Sequence, residues 1–310
     1  MFFIKKFLTF FVCWFIPNKV NRKAFRRKMM SVVITNTNIK NRNKPVEPWA
    51  FIRVKNEIKT LEACLNSILP AIKKGVIAFN DCDDGTEEYI LEFCRLNKGF
   101  IPYKSPYTIF PLNDPRNFEE GHNESKINEY YNAALKLLPQ NEWLIKIDAD
   151  QTYEADKLKK MFFLPRNEKD AIVFGILNLH YDGKDIYFIK NFPYLINADH
   201  WLIFNKKLHF SLNKNKSKNS VVEHLNISKN NIVFSEVCSY HFPMIKKFLN
   251  KEDYKYLAKL EGDSFSKTLN EFVKKNKLPF VLDKKLLNKN HILKFCKDFN
   301  LKGKRILPKK

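Results

Sequence analysis

The stretch Trp143-Leu-Ile-Lys-Ile-Asp-Ala-Asp150 decides the fold. An apolar run of strand length ends in two carboxylates one residue apart. With 143–147 as a buried strand, Asp148 and Asp150 lie where the chain leaves the sheet, on one side of it. Two hard oxygen donors in that position suit a divalent cation held against a diphosphate. A bare Asp-x-Asp is common, however, and Asp81-Cys-Asp83 is a second one. The surroundings have to carry the reading.

Working outward, Ala50–Val54 reads as a first strand, followed by a helix with Ile58, Leu61, Leu65, Ile68 and Ile72 on one face. Gly75–Phe79 is a second strand, running into the acidic turn 80–88 and a helix with Ile90, Leu91 and Phe93. Strand–helix–strand–helix is the pattern of a parallel sheet covered by helices. Further on, Ser125–Leu138 reads as a helix, and Ala171–Leu177 and Leu202–Phe204 as strands. Residues 206–231 are Lys/Asn-rich and read as loop, and 244–310 as a helical tail that includes Tyr254, Leu257 and Leu260. The expected organisation is an interfacial segment 1–28, a linker 29–47, a sheet domain 48–245 and a basic helical tail 246–310.

Composition narrows the partners. The chain has 310 residues, a formal charge of +22 and six scattered cysteines with no metal-binding spacing. Reduced thiols and a cytoplasmic setting are expected from that usage. Residues 7–16 are apolar but too short to span a bilayer, which takes about 20 residues. A basic cluster from Lys19 to Lys28 follows, a combination suited to the surface of an anionic membrane. No nucleic-acid motif accompanies the charge, and nucleic acid is not expected as a partner. With eight glycines, no Gly-rich phosphate loop precedes the first helix, which argues against a nucleotidyltransferase. The turn 80–88 fails as a calcium loop, because Gly85 falls one place early.

Several segments resemble the bacterial lipooligosaccharide β-1,4-N-acetylgalactosaminyltransferases: Pro48-Trp-Ala-Phe-Ile-Arg-Val-Lys-Asn-Glu57, Ser67-Ile-Leu-Pro-Ala-Ile72, Asn80-Asp-Cys82, Ile90-Leu-Glu-Phe-Cys94, Glu142-Trp-Leu-Ile-Lys-Ile-Asp148 and Tyr240-His-Phe-Pro243. The resemblance covers about residues 45–245. It implies a GT-A-like α/β fold, a nucleotide-binding mixed sheet flanked by helices, with UDP-GalNAc as donor, a lipooligosaccharide or other glycolipid as acceptor, and Mn²⁺ or Mg²⁺ as cofactor. Transfer would invert the anomeric centre at the cytoplasmic face of the inner membrane. By the same resemblance, Asp148 meets ribose or a metal-bound water, Asp150 ligates the metal, and His241 completes its shell. Arg53, Glu57 and Asp81 fall on the nucleotide side, and Glu223 takes the place of the catalytic carboxylate. Lys126, at the start of a helix, is a candidate counter-charge for phosphate. UDP-galactose or UDP-GlcNAc as donor, and a non-catalytic polyanion-binding protein, are the competing expectations.

Overall fold

The structure, a computed structural model, describes residues 16–17, 32–33, 40–197, 199–215, 220–227, 231–246 and 255–304. The interfacial segment expected at 1–28 and most of the linker 29–47 lie outside these residues, as does Tyr254.

A mixed sheet organises the fold. Its strands are β1 (Val32–Val33), β2 (Trp49–Val54), β3 (Gly75–Phe79), β4 (Phe100–Lys104), β5 (Trp143–Asp148), β7 (Asp170–Tyr181), β10 (Trp201–Phe204) and β13 (Asn231–His241). They run side by side in the order β1-β13-β7-β10-β5-β2-β3-β4. Strands β5, β2, β3 and β4 are mutually parallel, and β10 is antiparallel to both neighbours. A short β6 (Gln151–Tyr153) turns straight out of β5 and pairs with the end of β13. Strands β8 (Ile186–Ile189) and β9 (Tyr194–Leu195) pair with β7.

Helices cover both faces. Helix α1 (Ile58–Ile68) sets Leu61, Leu65 and Ile68 on one side at helical spacing, all fully buried. Burying each such side chain is worth about 1.5–3 kcal/mol. With α2 (Thr86–Leu96), α1 packs on Ile52, Ile77, Ile145 and Ile147. The opposite face, with Phe51, Val76 and Leu144, is closed by α3 (Ile127–Lys136) through Tyr130, Tyr131 and Ala134. Gly75 is required where β2 and β3 meet, since a Cβ there would sit 2.7 Å from the Ala50 side chain and carbonyl. After β6 comes α4 (Ala155–Met161), which packs Leu158 and Met161 on the first face.

Two segments differ from the sequence expectation. Strands β11 (Phe210–Asn215) and β12 (Ser220–Leu225) pair as a β-hairpin where loop was expected. Its base is fixed by Asn132, which exchanges hydrogen bonds with the Phe210 backbone, and by Phe210 packing on Phe51 and Tyr131. The tail is not wholly helical. After the single turn α5 (Pro243–Lys246), Leu257–Lys259 forms β14, which extends β8, before α6 (Ser264–Asn276) and α7 (Lys289–Asp298). These helices share one buried cluster with β7 and β13, including Phe188, Tyr240, Phe265 and Ile292.

Candidate active site

The parallel strands β2, β3 and β5 end together, and the expected site residues other than Lys126 gather around that end. Arg53 and Asp148 are register partners across β2 and β5. Lys146 and Asp148, two residues apart on β5, share a face. Strand β10 runs antiparallel to β5, so Asp199 and His200, which precede it, arrive where β5 stops. Lys146 Nζ lies 3.0 Å from Asp148 Oδ1 and 2.9 Å from Asp199 Oδ1. On the other oxygen, Asp148 Oδ2 receives Gln151 Nε2 at 3.1 Å and faces His200 Nδ1 at 3.3 Å. Burial by itself would raise the Asp148 carboxyl; Lys146, His200 and Arg53 outweigh it and hold the group well below the usual carboxylate range. Asp148 is therefore an anion already neutralised by the protein.

Asp150 has different surroundings. The pairing of Gln151 with His241 in β6 and β13 sets His241 beside it, and the Phe242 N–H donates to the Asp150 carbonyl at 2.9 Å. His241 Nε2 lies 3.2 Å from Asp150 Oδ2, and His241 Nδ1 lies 2.7 Å from Asn178 Oδ1. The Asn178 amide donates to the Phe192 carbonyl at 2.8 Å, which fixes its oxygen toward the ring. Nδ1 therefore carries a hydrogen, and Nε2 is the ring nitrogen that meets the carboxylate oxygen, through a proton or through a cation. A divalent cation can take Nε2 and the carboxylate oxygen together, so the donor set fits a metal whose histidine ligand is oriented by an amide oxygen on its other nitrogen. A second acidic group, Asp148, Asp199 and His200, has ligand atoms within 4.8 Å of one another, but Lys146 already sits on both of its carboxylates.

Glu57 closes the side of the cleft next to α1. Its backbone N–H donates to Thr86 Oγ1 at 2.8 Å, and its carboxylate takes Lys246 of α5 and Thr60. Burial, and then the charge of Asp150, push its carboxyl up to about 7, against the opposing pull of Lys246. Beneath the cleft, the Cys64 thiol donates to the Asp148 carbonyl at 3.3 Å, and burial raises it well above its ordinary value. The described cysteines, 64, 82, 94, 238 and 296, are free thiols.

The remaining expected residues divide. Arg53 is half-buried, with its guanidinium 3.9 Å above the Tyr131 ring and Nη1 2.8 Å from Glu223 Oε2. Tyr131 OH donates to Glu223 Oε1 at 3.0 Å. Glu223, on the hairpin, thus has one donor on each oxygen. Asp81 turns out of β3 with φ of 45° and accepts from Asn80, Lys55 and the Ile109 N–H. Burial is the largest single influence and opposes its ionisation, but those hydrogen bonds together bring it below the ordinary value. Lys126 instead turns back on its own loop, to the Glu119 carbonyl and Asn123 Oδ1, and no described contact joins it to Asp148. Lys146, Gln151, Asn178, Asp199, His200 and Lys246 were not read from the sequence. Of these, only Lys146 carried a signal: a charged residue inside an apolar strand demands a buried partner.

The profile of the beta-1,4-N-acetylgalactosaminyltransferase (CgtA) family matches residues 18–296. The chain belongs to this family. It is accordingly a glycosyltransferase, with the α/β sheet-and-helix architecture described above. No curated protein matches the chain. Among solved structures, a mannosyltransferase from Pyrobaculum calidifontis in complex with GDP-Man and Mn²⁺ is similar at TM-score 0.32 and 12% identity. That match covers 56% of this chain and 46% of that one. A putative glucose-1-phosphate thymidylyltransferase from Bacillus anthracis, in complex with a sucrose, is similar at TM-score 0.27 and 10% identity. It covers 84% of this chain and 97% of that one.

Proposed function

We propose that the protein transfers GalNAc from UDP-GalNAc to a galactose-terminated glycolipid acceptor, with inversion, at an anionic membrane surface. Family membership supports the sugar, and the Asp150–His241–Asn178 arrangement is the observation that carries a metal-assisted site. Asp150 and His241 would hold Mn²⁺ or Mg²⁺, with Asp148 beside them. When bound, the metal supplies charge neutralisation for the diphosphate leaving group. Asp148, kept ionised by Lys146, suits hydrogen bonds from donor hydroxyls. Asp81 and Arg53 border the same end of the sheet, where ligands of parallel α/β sheets bind. Among the described residues no helix is long and apolar enough to cross a membrane; membrane association would be peripheral.

The test is UDP release from a panel of UDP-sugars, with Mn²⁺ present or chelated. Metal-dependent release that prefers UDP-GalNAc is expected. A preference for UDP-galactose or UDP-GlcNAc would overturn the donor, and failure to bind UDP at all would sink the reading.

Glu223 is the proposed acceptor base. With Oε2 held by Arg53, Oε1 is the oxygen that must leave Tyr131 and turn to the acceptor hydroxyl. If so, Glu223→Gln lowers kcat by about 10²–10⁴-fold with little change in KM, the span of general-base contributions. Tyr131→Phe should then lower it far less. Equal effects of the two substitutions would instead make Glu223 a holder of Arg53.

A further inference from the structure

Asn178 leads from the metal face of the site to the outside of the protein. Its amide binds the Phe192 carbonyl, and the Phe192 ring is 43% exposed. Across the β8–β14 pairing, the Lys190 N–H donates to the Tyr256 carbonyl at 2.8 Å, and the Tyr256 ring is 37% exposed. Phe192 also packs edge-on against Phe272 of α6, with ring centres 6.0 Å apart. Lysines accompany the rings. Lys190 and Lys255 are exposed, Lys255 Nζ lies 5.1 Å from the Tyr256 ring centre, and Lys274 and Lys275 follow Phe272 on α6.

Half-exposed aromatic rings among lysines match the chemistry of a headgroup layer. The rings enter the boundary between water and acyl chains, and the ammonium groups meet lipid phosphates. An overall charge of +22 makes an anionic surface the complementary one. We propose that Lys190, Phe192, Lys255, Tyr256 and the C-terminal half of α6 form a docking surface for anionic phospholipid. Its position, one asparagine away from His241, would hold the cleft at the height of a lipid-borne acceptor. The purpose of the docking rests on the glycolipid reading above; the docking itself does not.

The experiment is sedimentation of the full chain with phosphatidylcholine vesicles containing or lacking phosphatidylglycerol. Wild type should partition to the anionic vesicles. Each lysine near such a surface contributes about 1 kcal/mol, so Lys190→Glu/Lys255→Glu should weaken partition by at least about tenfold. Phe192→Trp supplies a direct reading, because its fluorescence should be quenched by brominated phosphatidylglycerol beyond the quenching of wild type. Partition of the charge variant within twofold of wild type, with no excess quenching at Trp, overturns the proposal and leaves the patch to a protein partner. UDP release is measured separately: its failure would remove the transferase reading and leave the vesicle result standing, and the reverse also holds.

Discussion

Asp150→Asn is expected to lower metal-dependent UDP release by at least about 10³-fold, the several kcal/mol that a bound metal contributes to a charged leaving group. His241 Nδ1 is committed to Asn178, and its Nε2 faces Asp150 Oδ2 at 3.2 Å. Either a metal or an added proton must lie between them. Asn keeps the shape of the side chain but removes the charge, and with it the hard anionic donor a divalent ion prefers. Mn²⁺ titration followed by calorimetry separates the two cases without any turnover. Wild type should bind Mn²⁺ and Asp150→Asn should not. Asp148→Asn should bind it with far less loss, because Lys146 already neutralises Asp148. Mn²⁺ binding that survives Asp150→Asn and disappears in Asp148→Asn would reverse the assignment of the two carboxylates.

The contrast between those carboxylates explains how far the sequence could be read. Trp143–Asp148 was legible because six residues of apolar strand ending in acid have few other places to go. Gly75–Phe79 and the helix after it were legible for the same reason: local periodicity and local turn chemistry agree. Lys146, Asp199 and His200 were a different matter. Asp199 and His200 reach Asp148 only because β10 runs antiparallel between β5 and β7, and strand direction is a property of pairing, not of four residues. Asn178 meets His241 through the register of β7 against β13, with a bulge between Phe234 and Ser239 that no spacing rule anticipates. The pairing of β11 with β12 was hidden by their lysines and asparagines. What holds it is tertiary: Asn132 at its base, and Arg53 and Tyr131 on Glu223.

Lys146→Met is expected to cost stability as well as activity. The lysine is buried, and its ammonium lies within 3.0 Å of two carboxylates. Breaking a buried ion pair from one side costs about 3–5 kcal/mol, because the partner charge is left without compensation. Here water reaches Asp148 and still more Asp199, so the lower end applies, a fall in Tm of roughly 5 °C. Asp148→Asn in the same chain removes the stranded charge, and the double variant should recover part of the loss. The pH dependence has a definite sign. In the wild type the folded Asp148 sits below its unfolded value, so its contribution is full above about pH 4 and fades as pH falls further. Without Lys146 the largest influence holding the folded carboxyl down is gone, its pKa moves up toward the unfolded value, and the part of the acid-induced fall in stability that Asp148 supplies should shrink. Thermal melts of the single and double variants between pH 3 and 8 check both points. Additive losses, with the acid limb unmoved, would mean that Lys146 merely fills space beneath Asp148.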